Sequence, residues 1–199
     1  MSITNGYTDL TTIKARAGIP TGITTDDSIL EAVVTSVSRS IDEFCGTRFY
    51  VVPSEARVFT AHKAGEVLID DCVVVVSLTT DGDGDRTYET TWATTDYDLM
   101  PFNATVNGKP FWKVKVTPNG RYSFPLHEAG VKITGSFGYA SATPAVVSEA
   151  CLIQSLRIFK RKDSPFGAAG SAETGMMRIV RLDMDVQFNL GPMRRISAA

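Results

Sequence analysis

Apolar residues recur at every third or fourth position near both ends of the chain and at every second position in between. LTTIKARAGI places Leu10, Ile13 and Ala17 on one face of a short helix, and Gly18 follows as the residue type that ends helices in a left-handed conformation. TDDSILEAVVTSVSRSIDEFCG sets Leu30, Val33, Val34, Val37, Ile41 and Phe44 at helical spacing, which predicts a helix from about Asp27 to Cys45. Thr25, Asp26 and Asp27 can accept from its free first-turn amides, and Gly46 sits where a terminating glycine belongs.

From Thr47 to Ala142 the period is two. RVFTA, EVLID, VVVVSLTT, RTYETTWAT, DYDLM, FWKVKVTP and VKITGSFGYA are β-branched or aromatic runs separated by Gly, Asn, Asp and Pro clusters. They predict six or seven short strands in an antiparallel sandwich or small open barrel. No helical period interrupts them, which argues against a parallel α/β sheet.

Helical spacing returns after Thr143, an N-cap residue, and Pro144, suited to a first helical position. In AVVSEACLIQSLRIFKRK, Val146, Val147, Ala150, Cys151, Leu152, Ile153, Leu156, Ile158 and Phe159 cover more than one stripe, so this helix is expected to be buried on two sides. One side can pack on the Asp27 to Cys45 helix, leaving the other for the β region or another subunit. The predicted class is α+β. It comprises N-terminal helices (1–46), a β-rich insertion (47–142), a third core helix (143–162) and a loop with an extended C-terminal arm (163–199).

The arm is unusual in pattern. DSPFGAAGSAETG, from Asp163 to Gly175, is too small and polar to build a core, with Phe166 as its exception. Alternation resumes at Arg178 to Leu182, and Val186, Phe188 or Leu190, and Met193 follow as further apolar anchors. Two readings stay open: a strand added to the edge of the β region, or a segment that pairs with a neighbouring chain or docks in a partner's groove.

Composition and charge narrow the function classes. The 199 residues are 43% hydrophobic and 21% charged, enough for one core or a core with a satellite. A net charge of -2 gives no overall attraction to nucleic acid. The basic residues are local: Arg157, Lys160, Arg161 and Lys162 at the end of the third helix, then Arg194 and Arg195. They suit phosphate contact or the negative end of a helix dipole, without the aromatic platform of a single-strand binder. Direct recognition of a DNA sequence is not supported; lining a passage for DNA remains open.

Candidate chemistry is sparse. Asp81, Asp83 and Asp85 in DGDGDRTYETTW alternate like calcium ligands, but Arg86 and Trp92 stand where an EF-hand loop needs glycine and glutamate, and a hairpin tip explains the same residues. His62 and His127 have no triad partners in their vicinity, and GAAGSAETG lacks the lysine and helix of a phosphate cradle. Cys45, Cys72 and Cys151 have no metal-ligand spacing and read as buried free thiols. The expectation is a non-enzymatic protein with no cofactor and no metal. MSITNGYTDLTT lacks the basic and apolar regions of a signal peptide, and VVVV at Val73 to Val76 is the longest apolar run, so the chain is expected to be made in the cytoplasm without a membrane span.

The strings DLTTIKARAGI, DDSILEAVVTSVSRSIDEFCGTRF, ACLIQSLRIFKRKDSPFG and RIVRLDMDV together resemble the head-tail connector, or adaptor, proteins of tailed bacteriophages. The likeness is to the gp6-like connector group, in the siphophage versions with a β-rich insertion, and RIFKRKDSPFG is its most specific string. The resemblance implies a ring, generally dodecameric, that sits beneath the portal protein at the virion neck and extends the DNA channel. Its partners would be the portal, identical subunits, the next neck protein (stopper) or a tail terminator, and double-stranded DNA passing without sequence specificity. On this reading Phe166, Ile179, Leu182, Val186, Phe188 and Met193 dock on the portal or a neighbouring subunit, and Arg157, Lys160, Arg161, Lys162, Arg194 and Arg195 lie near the channel or portal junction. A tail terminator or other tail-completion ring protein is the alternative within the virion, and a calcium-dependent binding module the alternative outside it.

Overall fold

The computed structural model describes residues 2–163 and 183–195. The fold is α+β, with four α-helices and six antiparallel strands among the described residues. The chain divides into two compact units: residues 1–47 with 143–199, and residues 48–142.

The helical unit contains α1 (Leu10–Ala17), α2 (Asp27–Cys45), α3 (Ala145–Phe159) and α4 (Met184–Leu190). Asp9 caps α1 by accepting from the Thr12 amide at 2.8 Å. Gly18 and Gly46 close α1 and α2 at φ 73° and 66°, a region where a side chain would be strained. Leu30, Val34, Val37, Ile41 and Cys45 line the buried face of α2, against α3 residues Val147, Ala150, Cys151 and Leu152. Asp26 precedes α2 without capping it through its side chain; its carboxylate takes the Lys162 ammonium at 2.5 Å instead. The third helix starts one residue later than expected, with Pro144 rather than Thr143 at the N-cap position.

The main departure from the sequence pattern is α4. Val186 and Phe188 or Leu190 are expected as spaced anchors of an extended arm, yet Met184–Leu190 is helical. Val186 and Leu190 lie four residues apart, so a helix puts both on one face, where they are fully buried, and α4 packs on α3. Met184 and Phe188, also four apart, are 77% and 83% exposed. Asp183 starts this helix by accepting from the Asp185 amide at 3.0 Å. About three helices were expected, with the segment after Gly175 as an arm; its described part is a fourth helix of the core.

The β unit is one sheet in the order β1-β6-β2-β5-β4, with β3 added to β2. Its strands are β1 (Val52–Phe59), β2 (Glu66–Thr80), β3 (Thr90–Thr91), β4 (Tyr97–Met100), β5 (Phe111–Val116) and β6 (Val131–Phe137). EVLID and VVVVSLTT, which read as two strands, form the single long β2, irregular in register between Leu68 and Cys72 and again between Val75 and Ser77. Such irregularities bend a strand and let it pair with β5 at one end and β6 along the other. Gly135 on β6 is required by this pairing, since a Cβ there would stand 2.4 Å from the Val74 carbonyl oxygen. One sheet face carries Val67, Ile69, Cys72, Leu78, Val114, Ile133 and Phe137 into the core. Trp92 stacks on Phe124 with ring centroids 4.6 Å apart and donates its indole N–H to Thr80 Oγ1 at 3.0 Å.

Candidate interaction surface of the helical unit

α2, α3 and the chain from Asp183 to Arg195 build the surface that holds most of the candidate residues. Arg157 Nη1 donates to Asp183 Oδ2 at 2.5 Å, and the Asp183 amide donates to Gln154 Oε1 at 3.3 Å. At the other end of the segment the Arg195 amide donates to the Cys45 carbonyl at 2.7 Å, and the Arg194 guanidinium lies 5.0 Å from the Phe44 ring centroid. Two buried side chains and ties at both ends hold this segment to its own unit.

Beside it is a groove of about 510 Å³ between α2 and α3. Val37, Ile41, Phe44 and Ile158 give it apolar walls, and Ser36, Ser40, Glu43 and Gln154 complete its lining. Its size falls in the range of sites that take several side chains or a small molecule.

The anticipated docking residues separate. Val186 is fully buried within its own unit and Met193 is half-buried, whereas Phe188 is free to meet a partner. Phe166, Ile179 and Leu182 lie outside the described residues. Met184, which is not among the expected anchors, is exposed beside Phe188. Its pairing with Phe188 at a four-residue interval was the available signal, hidden by the simultaneous period of two.

The anticipated basic residues separate too. Arg157 and Lys162 are engaged with Asp183 and Asp26, and Lys162 also lies 4.5 Å from the Phe159 ring centroid. Lys160 is exposed, and Arg161 Nη2 is buried without a hydrogen-bond partner. Arg194 makes no ion pair with a carboxylate among the described residues.

The other candidate chemistry resolves into structural roles. Asp81 Oδ1 accepts from the amides of Asp83 (3.2 Å) and Gly84 (2.7 Å), and Oδ2 from that of Arg86 (2.8 Å). Burial alone would raise its pKa, but these N–H groups hold the carboxyl below its ordinary value. Asp81, Asp83 and Glu89 bring carboxylate oxygens within 4.8 Å of one another. Asp85, the other residue of the alternating set, accepts from the Thr87 amide at 2.6 Å. His127 Nε2 faces the Asp81 carbonyl oxygen at 3.0 Å. Burial pushes the thiols of Cys45 and Cys72 up to about 11 and raises that of Cys151, which favours the protonated thiol. Among the described residues no helix is long and apolar enough to cross a membrane.

A solved structure shares this fold from end to end. It is a chain of the neck of an empty gene transfer agent particle, computed with C6 symmetry. The two are 13% identical and superpose with a TM-score of 0.58 over 100% of this chain and 95% of the other. No protein-family model matches the sequence, and no curated protein is significantly similar to it.

Proposed function

We propose that this chain is a structural, non-catalytic subunit of the neck of a tailed phage-like particle, joining the capsid vertex to the tail. The full-length likeness to a neck chain carries this reading, because it spans the helical unit and the β unit together. In detail, the chain is an adaptor: copies form a ring beneath the portal, extend the channel for double-stranded DNA, and present a surface to the next neck or tail protein. The six-fold symmetry of the neighbour's particle supports a ring and is compatible with six or twelve copies.

The residues fit a binding rather than a catalytic role. Phe188 offers an exposed apolar contact, and Lys160, Arg161 and Arg194 supply local positive charge on a chain of net charge -2. Such a chain can neighbour DNA without gripping it, since tight non-specific binding needs many phosphate contacts. Phe166, Ile179 and Leu182 remain proposed anchors on the sequence pattern alone, while Val186 serves the chain's own core.

The test is in vitro joining. DNA-filled heads from particles lacking this chain, mixed with tails, should form infectious particles only when purified protein is added. The protein should sediment with isolated heads and leave isolated tails unchanged. Binding to tails alone would replace the adaptor role with that of a tail terminator, and binding to neither would overturn the neck reading.

A further inference from the structure

The exposed face of α4 and the groove between α2 and α3 are complementary, and both belong to the helical unit. Met184 and Phe188 form an apolar pair on one side of α4, and the groove has four apolar wall residues in about 510 Å³. The pair cannot serve its own core, because Val186 and Leu190 already occupy the inward face of α4. An apolar pair at a four-residue helical interval entering a groove between helices is a recurrent recognition mode.

Charge points to the same match. Asp185 is exposed, one residue from Met184 and three from Phe188, and its carboxylate has no ion-pair partner among the described residues. Arg194 is exposed over Phe44, one wall of the groove, and likewise has no carboxylate partner there. An apolar pair flanked by an anion thus sits on the same chain as an apolar groove flanked by a cation, neither with an ion-pair partner among the described residues.

We propose that the occupant of the groove is a second copy of this chain: Met184 and Phe188 of one copy enter the α2–α3 groove of the next, and Asp185 pairs with Arg194 across the joint. This rests on the ring proposed above and identifies its subunit contact. The two surfaces are different patches, so the contact is heterologous, and repetition closes into a ring when the rotation between copies is a whole fraction of a turn.

The test uses full-length chain in particles. Phe188→Cys and Ser40→Cys place a thiol on the α4 face and one at the groove, while the native cysteines are buried and do not interfere. Mild oxidation should give a ladder of covalently linked copies on a non-reducing gel, absent with either substitution alone. Loss of both thiols without a ladder would place α4 in its own groove and overturn the proposal, as would two thiols that stay free. Absence of the unsubstituted chain from the particles would overturn the neck reading and this contact together, whereas the double variant present in particles without a ladder overturns the contact alone. As an independent arm, Asp185→Arg and Arg194→Asp should each lower head-tail joining at least tenfold, and the two combined should recover it. A double variant no better than the singles would overturn the pairing.

Discussion

The Arg157 guanidinium reaches the Asp183 carboxylate at 2.5 Å and so ties the end of α3 to the start of α4. The same carboxylate caps α4 through the Asp185 amide, so Asp183 does two jobs and Arg157 one. Asp183→Ala should therefore cost about 2 kcal/mol, mostly the lost cap, and Arg157→Ala at most about 1 kcal/mol for a partly exposed ion pair. Urea denaturation of both variants checks the order; equal losses would mean the cap contributes nothing.

Placement of α4 in the core predicts opposite outcomes for neighbouring apolar residues. Leu190→Ala should destabilise the protein by about 2–5 kcal/mol by opening a cavity. Phe188→Ala should stay within about 0.5 kcal/mol, as expected at an exposed site. Thermal melting of the two variants distinguishes a core helix from a free arm, for which both substitutions would be neutral.

Lys14 is a buried ammonium on α1, 3% exposed, that donates to the Thr21 carbonyl (3.2 Å), the Ile23 carbonyl (2.5 Å) and Asp27 Oδ1 (2.7 Å). It fastens the turn between α1 and α2 from within. Lys14→Met keeps the stem but leaves the three acceptors unmatched, and should cost about 3 kcal/mol. Guanidinium denaturation measures it, and an unchanged midpoint would show that water replaces the ammonium freely.

Asp81 predicts a dependence on acid. Its folded carboxyl titrates below the ordinary carboxylate value, so its contribution is fully present above that value, about pH 4, and is lost as the pH falls through the folded pKa. Asp81→Asn should be less stable than the parent at pH 7, because the Arg86 amide would then face an amide group. The gap should narrow below about pH 4 as the parent protonates. Melting temperatures of both proteins from pH 2 to 8 test this; a gap independent of pH would refute it. Millimolar calcium should leave both melting temperatures unchanged, since Arg86 and Trp92 stand where a calcium loop needs glycine and glutamate.

The elements with a single dominant period were legible in the sequence. Val34, Val37 and Ile41 marked α2, glycines marked the ends of α1 and α2, and the alternation in Phe111–Val116 and Val131–Phe137 marked two strands. Met184–Leu190 was not legible because its apolar residues satisfy both periods. Only the presence of α3 beside Val186 and Leu190 selects the helix. The groove escaped for a related reason: Phe44 and Ile158 are distant in sequence and share a wall only through the packing of α2 on α3. Lys14 gave no local signal, since the carbonyls it serves belong to a turn whose path is set by tertiary structure. The basic run after Arg157 was visible as composition, but its division between paired and unpaired members depends on where Asp26 and Asp183 fall.

A neck subunit has one defined place in the particle, between portal and tail. Electron cryomicroscopy of the intact particle, at a resolution that traces side chains, tests it most directly. The expected result is a closed ring of this chain between portal and tail, with its helical units in contact from copy to copy. Location in the capsid shell, along the tail tube, or nowhere in the particle would contradict it.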